Sequence, residues 1–135
     1  LIRRIEHYGS TSVPGLSAKP IIDILIEVSS FDAARQEITS RLNSPEWEYW
    51  WYSDHMVLIR RDLQTGLRTH HLHFADRNCP VWEGLKFRDV LRNAPEVAAR
   101  YAELKYQLAE NYRNDREAYT DAKTDFIKRE MERTQ

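Results

Sequence analysis

IIDILIEV, residues 21–28, is the strongest strand signal in the chain, because β-branched and apolar residues occupy every position except two acidic ones. Side chains alternate between the two faces of a strand, so one face is wholly apolar while the other carries Asp23 and Glu27 among apolar neighbours. We therefore predict a strand that buries its first face in the core and presents the Asp23 carboxylate to a cleft on the second.

Strand signals continue through the first half of the chain, and helix signals take over in the second half. Three further runs favour strands, namely 47–52 (WEYWWY), 55–61 (HMVLIRR) and 68–75 (RTHHLHFA). Helical spacing of apolar residues predicts helices at 29–42, at 81–93, from 95 onward and after 115. Ser29 with Asp32 is typical of a capping box at the first helix. The sequence predicts an α+β (α/β mixed) fold, with a small mixed β-sheet, helices packed on it and a helical C-terminal half.

The composition limits the classes of protein to which the chain can belong. Its length of 135 residues suits one domain over 1–135. Its 20 Lys+Arg are balanced by 21 Asp+Glu, so the chain lacks the excess of positive charge that is typical of nucleic-acid-binding proteins. No run approaches 18 apolar residues, so we expect no membrane span. Cys79 is the single cysteine and cannot form an internal disulfide, from which we expect a cytoplasmic protein. Because Leu1 is not a methionine and already lies in a strand-like run, we expect a segment to precede it.

Residues 9–16, GSTSVPGL, are the most unusual local feature. Glycine permits positive φ and close approach of the backbone, and hydroxyl groups beside exposed amides suit phosphate oxygens. The hydroxyl groups are those of Ser10, Thr11 and Ser12, directly after Gly9. No Gly-Lys-Ser/Thr follows, so the segment is not a Walker loop. It predicts a phosphate-binding turn, with an ordinary Ser/Gly/Pro turn as the alternative.

A Gly-Ser turn followed by Asp23 on the next strand resembles the nucleotidyltransferase superfamily of the DNA polymerase β type. In that superfamily the turn holds the triphosphate and strand carboxylates hold Mg²⁺, because the metal neutralises phosphoryl charge while the loop positions the group. Four longer strings together resemble the GrpB-like (UPF0157) proteins, which are related to that superfamily. They are IEHYGSTSVPGLSAKPIIDILIEV (5–28), HLHF (71–74), LKFRDVLRNAPEVAARYAELKYQLA (85–109) and AYTDAKTDFI (118–127).

The resemblance implies a metal-dependent, nucleotidyltransferase-like protein that binds a nucleotide triphosphate and transfers NMP to an unidentified small-molecule or protein acceptor. It implies a phosphate-binding role for the turn residues Gly9, Ser10, Thr11 and Ser12. Four later residues match family-motif positions, namely Arg88, Lys105, Tyr119 and Lys123. Lys19 lies between the turn and the Asp23 strand, within reach of a bound phosphate. The alternative for each lysine or arginine is a solvated surface position.

The chain departs from the transferase pattern at its second acid. Two positions after Asp23 stands Leu25, and Glu27 lies about 13 Å from Asp23 along the strand, too far to share one ion. HLHF places His71 and His73 on one face, with Cα atoms roughly 6.6 Å apart. We therefore predict a catalytic, metal-ligating set of Asp23, His71 and His73 that binds divalent Mg²⁺, Mn²⁺ or Zn²⁺, with imidazole favouring the transition metals.

Several alternatives follow from the same residues. The two imidazoles could donate hydrogen bonds to phosphate, transfer a proton, or form the solvated face of an edge strand. Leu25 in place of an acid favours a binding module, a nucleotide or phosphate sensor or accessory protein without catalysis. A metal-dependent phosphohydrolase centred on the histidines is a third function. The aromatic run at 47–52 could stack a base or pack in the core.

Overall fold

The computed structural model of the protein describes residues 1–16 and 18–133. Its strands form one mixed sheet and are β1 (Ile2–Tyr8), β2 (Ile22–Val28), β3 (Trp47–Trp51), β4 (His55–Arg61) and β5 (Arg68–Ala75). The order across the sheet is β1-β2-β5-β4-β3, with β2 and β5 parallel and the other neighbouring pairs antiparallel. The acidic strand β2 and the histidine-bearing strand β5 are therefore direct neighbours inside the sheet.

The helices are α1 (Phe31–Arg41), α2 (Glu83–Asn93), α3 (Pro95–Asn111) and α4 (Arg116–Arg133), with short 3₁₀ turns at Ser10–Ser12 and Pro80–Trp82. α1 packs on the apolar face of the sheet, where Ala34 and Ile38 join Ile26 and Val28 in one buried cluster. The three C-terminal helices enclose a second cluster and extend beside the opposite face, which carries Asp23. In the described part of the chain, no helix is both long enough and apolar enough to cross a bilayer.

The mixed α+β architecture predicted from the sequence is confirmed. The predicted cap of α1 is wrong, and one alternative given for the two histidines does not hold. α1 is capped by Ser30 instead of Ser29, because the extended Ser30 backbone (φ −146°, ψ 122°) lets its Oγ accept a hydrogen bond from the Ala33 amide at 3.3 Å. β5 is the central strand of the sheet. His71 and His73 therefore do not lie on an edge strand, and β4 and β2 flank them on either side.

Candidate functional site

The turn after β1 lies directly against the Asp23 carboxylate. Tyr8 is the register partner of Asp23 in the β1–β2 pair, so the chain leaves β1 beside this acid. Gly9 has φ +77°, and a Cβ at this position would lie 2.5 Å from Asp23 Oδ2. Both the backbone conformation and this contact exclude a larger residue. Glycine at position 9 is therefore what allows the turn and the carboxylate to lie in contact.

Asp23, His71 and His73 converge on one face of the sheet. Asp23 pairs with His71 across the parallel β2–β5 ladder, and His71 Nδ1 lies 3.2 Å from Asp23 Oδ1. His73 lies two residues further along β5, and the three residues each offer a ligand atom within 4.8 Å of the other two. His71 Nε2 and His73 Nδ1 are buried and accept or donate no hydrogen bond within the described residues. Buried polar atoms normally have partners, so this pair is suited to bind a ligand or ion.

Burial keeps the His73 imidazole neutral. It lowers the pKa of His73 to about 4, an effect that the Asp23 carboxylate opposes and the neighbouring His71 and His55 reinforce. The Tyr8 ring packs edge-on against the His73 ring with centroids 5.4 Å apart, and burial together with Asp23 raises the pKa of Tyr8. Neutral imidazole is the form that ligates a metal. At neutral pH the site thus presents His73 as a neutral nitrogen donor.

The chemistry of these donors fits a divalent transition metal. Two imidazoles and one carboxylate are a common three-ligand set for Zn²⁺ and other first-row ions, with positions left open for water or substrate. Mg²⁺ prefers a shell of oxygen ligands, of which this set supplies one residue. Of the three predicted metals, Zn²⁺ and Mn²⁺ therefore fit these residues better than Mg²⁺. Metal binding itself stays a prediction.

Hydroxyl and ammonium groups line a cavity of about 600 Å³ next to the Asp23–His71 pair. Lys105 Nζ donates a hydrogen bond of 2.7 Å to Ser10 Oγ and so connects α3 to the turn. The wall of this lysine cavity contains most of the predicted phosphate-binding residues, namely Ser10, Thr11, Lys19, Lys105, Tyr119 and Lys123. Residues that are distant in sequence thus surround one space beside the three potential metal ligands.

The lysine cavity concentrates positive charge in a partly desolvated wall. Burial lowers the pKa of Lys105, and Lys123 and Lys19 lower it further by like-charge repulsion. Burial also lowers the pKa of Lys123, an effect that Asp23 opposes and Lys19 reinforces. Ammonium groups held together in this way are stabilised by a bound anion, which restores both the charge compensation and the hydrogen bonds that burial removes. The electrostatics of the cavity favour a polyanionic ligand.

A second cavity, of about 640 Å³, adjoins the first across Asp23. The two cavities share four lining residues, Ser10, Asp23, Tyr101 and Lys123. The apolar surface of this apolar cavity comes from helical side chains that include Phe87, Leu91, Ile127 and Met131, and four charged side chains, Glu83, Arg88, Lys128 and Glu132, also line it. Asp23 therefore lies between a cationic compartment and an apolar compartment.

Three predicted phosphate-binding residues use their polar groups in contacts within the protein. The buried Ser12 hydroxyl donates to the Gly9 carbonyl oxygen at 2.6 Å, and Thr11 Oγ1 lies 2.9 Å from His7 Nε2. Arg88 donates to Glu6 Oε2 at 2.8 Å and to the His7 carbonyl oxygen at 3.0 Å, and it lines the apolar cavity. These contacts hold the turn in place and fix α2 to β1. Lys19 and Lys123, together with the hydrogen-bonded pair of Lys105 and Ser10 in the lysine cavity, are the better candidates for phosphate contacts.

The structure also shows which residues complete the site and which do not. Leu25 is fully buried (0% exposed), and Glu27 forms an ion pair with Arg4 at 3.4 Å, so neither takes the place of a second acid beside Asp23. Tyr8 and Tyr101 also line the site, although neither is among the site residues predicted from the sequence. Side chains alternate between the two faces along β1, and counting this alternation up to the turn could have identified Tyr8 as a residue on the Asp23 face.

Comparison with known proteins gives a consistent result. A family model described as GrpB protein matches residues 1–133. The chain is 40% identical over 130 residues to the UPF0157 protein YqkA of Bacillus subtilis, covering 92% of this chain but only 36% of YqkA. It is 36% identical over 133 residues to the glutamate-rich protein GrpB of Alkalihalophilus pseudofirmus, covering 93% of this chain and 75% of that one. The crystal structure of the conserved protein GrpB from Enterococcus faecalis matches with a TM-score of 0.79 at 31% identity, covering 98% of this chain and 82% of that one. The chain therefore belongs to the GrpB family.

Proposed function

We propose that this protein binds a nucleotide triphosphate together with a divalent metal ion and transfers the NMP group to an acceptor. The observation that supports this function is the convergence of Asp23, His71 and His73 at the edge of the lysine cavity. Metal ligands and phosphate-binding cations in one cleft are the components that phosphoryl and nucleotidyl transfer require. A metal bound there supplies charge neutralisation on the transferring phosphoryl group.

The lysine cavity is the proposed nucleotide compartment. Lys19, Lys105 and Lys123 bind the phosphates, and Ser10 presents its hydroxyl next to the Lys105 ammonium group. A triphosphate carries enough negative charge to compensate all three ammonium groups, which neither Asp23 alone nor a single inorganic phosphate does. A triphosphate is favoured for this reason over a single inorganic phosphate.

The apolar cavity is the proposed acceptor compartment. It adjoins the lysine cavity at Asp23, and Lys123 lines both, so an acceptor bound there lies beside the bound phosphates. In-line displacement requires the acceptor oxygen to enter on the side of the phosphorus opposite the leaving oxygen, and the acceptor compartment is where that oxygen is held. The wall of aromatic and aliphatic side chains selects a largely apolar small molecule that carries a nucleophilic hydroxyl or amine group.

A second candidate function rests on Leu25. The side chain that stands two positions after Asp23 is fully buried, so this strand brings one carboxylate to the site where the transferase pattern has two. A binding module that retains the nucleotide and metal but does not transfer NMP fits this feature. The phosphohydrolase hypothesis has no such observation of its own, since the two imidazoles serve all three functions equally.

Calorimetric titration of ATP, GTP, CTP and UTP, with Mn²⁺, Zn²⁺ or Mg²⁺, tests the proposal on metal-free protein. We expect metal-dependent binding that is lost in Asp23→Asn and in the double variant His71→Ala/His73→Ala. Asp121→Asn, an exposed acid on α4, is the matched control and should bind like the unmodified protein. Absence of binding by any nucleotide with any of the three metals would refute the proposal.

Pyrophosphate release then separates transfer from binding. The protein is incubated with the nucleotide that binds, the preferred metal and a set of apolar alcohols and amines. Release that depends on both the acceptor and Asp23 supports nucleotidyl transfer. Tight nucleotide binding without release across the acceptor set would favour the binding module.

A further inference from the structure

We propose a second metal site, one that contains a cysteine ligand, formed by Asp54, His55 and Cys79. Each of these residues offers a ligand atom, and the three atoms lie within 4.8 Å of one another. The cluster is separate from Asp23, His71 and His73 and shares no ligand with it. The inference does not depend on the proposed nucleotidyltransferase function.

The spacing of the donors is close to what a bound ion requires. Ligand atoms about 2.0–2.3 Å from a tetrahedral Zn²⁺ lie roughly 3.3–3.8 Å apart. In the structure His55 Nδ1 and Asp54 Oδ1 are hydrogen-bonded to each other at 2.7 Å, a bond that an ion between them would replace, and the widest separation in the set is no more than 4.8 Å. Adjustments of about one ångström, within the reach of side-chain rotation, bring all three atoms onto one ion.

Two anchored turns present these ligands. The β3–β4 turn places Asp54 and His55, and it is closed by a hydrogen bond of 3.0 Å from the Tyr52 amide to the His55 carbonyl oxygen. The Tyr52 ring stacks on the His55 ring with centroids 4.5 Å apart and an interplanar angle of 3°. This stacking fixes the plane of the imidazole and therefore the direction of its nitrogen atoms.

The Cys79 ligand comes from the segment between β5 and α2. The Cys79 amide donates to the Asp76 carbonyl oxygen at 3.2 Å, and the Trp82 indole donates to the same oxygen at 2.8 Å. A bound ion would join this segment to the β3–β4 turn, two parts of the chain that are not adjacent in sequence.

The donor types indicate the class of metal. A thiolate, an imidazole and a carboxylate together select Zn²⁺ and related transition ions and disfavour Mg²⁺ and Ca²⁺. A cavity of about 520 Å³ is lined by Asp54 and Cys79, which leaves room for water as a fourth ligand. Cys79 is only 6% exposed, which suits a metal ligand better than a nucleophile that must meet a substrate from solution.

The position of the cluster gives the metal a structural role. His55 lies next to His73, with ring centroids 6.5 Å apart, and the Cys79 segment leads into α2, whose Gly84 and Phe87 line the apolar cavity. An ion at Asp54, His55 and Cys79 would therefore fix two segments that flank the candidate functional site. We expect zinc to raise the thermal stability of the protein through this site.

Titration of the reduced, metal-free protein with Co²⁺ tests the proposal. Cobalt bound to a thiolate gives a near-ultraviolet sulfur-to-metal charge-transfer band, and Cys79 is the single cysteine of the chain. Because the Asp23–His71–His73 site competes for the same ion, the titration is carried out on His71→Ala/His73→Ala, where we expect one equivalent of Co²⁺ to produce this band and Zn²⁺ to abolish it by displacement. Cys79→Ser, made in the same variant, should lose the band. A folded protein that gives no band with Co²⁺ would overturn the proposal.

Variants that keep the thiol distinguish a three-ligand site from binding by cysteine alone. Made together with His71→Ala/His73→Ala, which removes the other metal site, Asp54→Asn/His55→Gln should weaken Co²⁺ binding at least tenfold and abolish the zinc-dependent rise in melting temperature. An unchanged affinity in this variant would overturn the site as proposed. Failure of the nucleotide proposal would appear in the calorimetric titrations and leave the cobalt band intact, so the two failures are distinguishable.

Discussion

Replacing Gly9 with alanine tests the contact between the turn and the Asp23 carboxylate. The Gly9 backbone lies at φ +77° and ψ −177°, a region that residues with a Cβ rarely adopt. An alanine Cβ would lie 2.5 Å from Asp23 Oδ2, so the carboxylate must retreat by about 0.5 Å or more to restore an ordinary contact. The substitution therefore strains the turn and displaces a proposed metal ligand at once.

Gly66→Ala is the matched control, because it separates these two effects. Gly66 has φ +73°, but a Cβ there meets nothing within 4 Å among the described residues. Each substitution should lower the free energy of unfolding by about 1–3 kcal/mol through backbone strain. Gly9→Ala should lose a further amount of about 1 kcal/mol, since the turn and β2 must also separate.

The assays are urea unfolding followed by circular dichroism and calorimetric titration with Mn²⁺ or Zn²⁺. The alanine Cβ would occupy the space next to the Asp23 carboxylate and move it relative to His71 and His73, so Gly9→Ala should weaken metal binding at least tenfold. Gly66→Ala should leave metal binding unchanged, because its turn lies between β4 and β5 at residues away from the site. Equal stabilities and equal metal affinities for the two variants would refute the reasoning.

Three further predictions follow from charge and burial. The unfolded chain protonates His73 below its ordinary pKa of 6.5, whereas the folded, metal-free protein does so only near pH 4, because burial lowers the pKa of His73. The free energy of unfolding should therefore decrease as the pH is lowered from 6.5 to 4, and urea unfolding at a series of pH values should show a smaller decrease for His73→Gln. Lys105→Met/Lys123→Met should retain or gain stability, because it removes like-charge repulsion, yet weaken nucleotide binding at least tenfold by calorimetry. Arg88→Ala should lower the free energy of unfolding by about 1–3 kcal/mol, because the Arg88 side chain is only 11% exposed and holds α2 to β1. Arg41→Ala is the control: the Arg41 side chain is 73% exposed in an ion pair within α1, so its loss should change the free energy of unfolding by less than about 0.5 kcal/mol.

Local sequence patterns were sufficient for the strands and for most helix limits. β4 and β5 occupy the predicted segments 55–61 and 68–75, because period-two alternation and the Gly66 turn are local properties of the chain. The predicted cap of α1 was one residue too early, because Ser29 and Ser30 have the same side chain and only the backbone conformation distinguishes them. The central position of β5 was missed, because strand order depends on contacts between distant segments.

The site was less accessible to sequence reasoning for the same physical reason. Lys19, Lys105 and Lys123 line one cavity because α3 and α4 pack against the turn, and the spacing of these residues along the chain does not predict that packing. Sequence also cannot show which polar atoms are already used, as the ion pair between Arg88 and Glu6 illustrates.

The missing second acid changes the way in which the candidate metal site is built. Two acids on one strand would lie roughly 6.6 Å apart along it, whereas neighbouring strands lie about 4.8 Å apart. The parallel pairing of β2 with β5 sets His71 beside Asp23 across this shorter distance, and His73 follows on the same face. The site therefore needs no ligand at position 25, where Leu25 is fully buried. The exchange of an oxygen donor for two nitrogen donors moves the expected metal from Mg²⁺ toward Zn²⁺ or Mn²⁺, so the cross-strand geometry accounts for both the departure at Leu25 and the metal we expect.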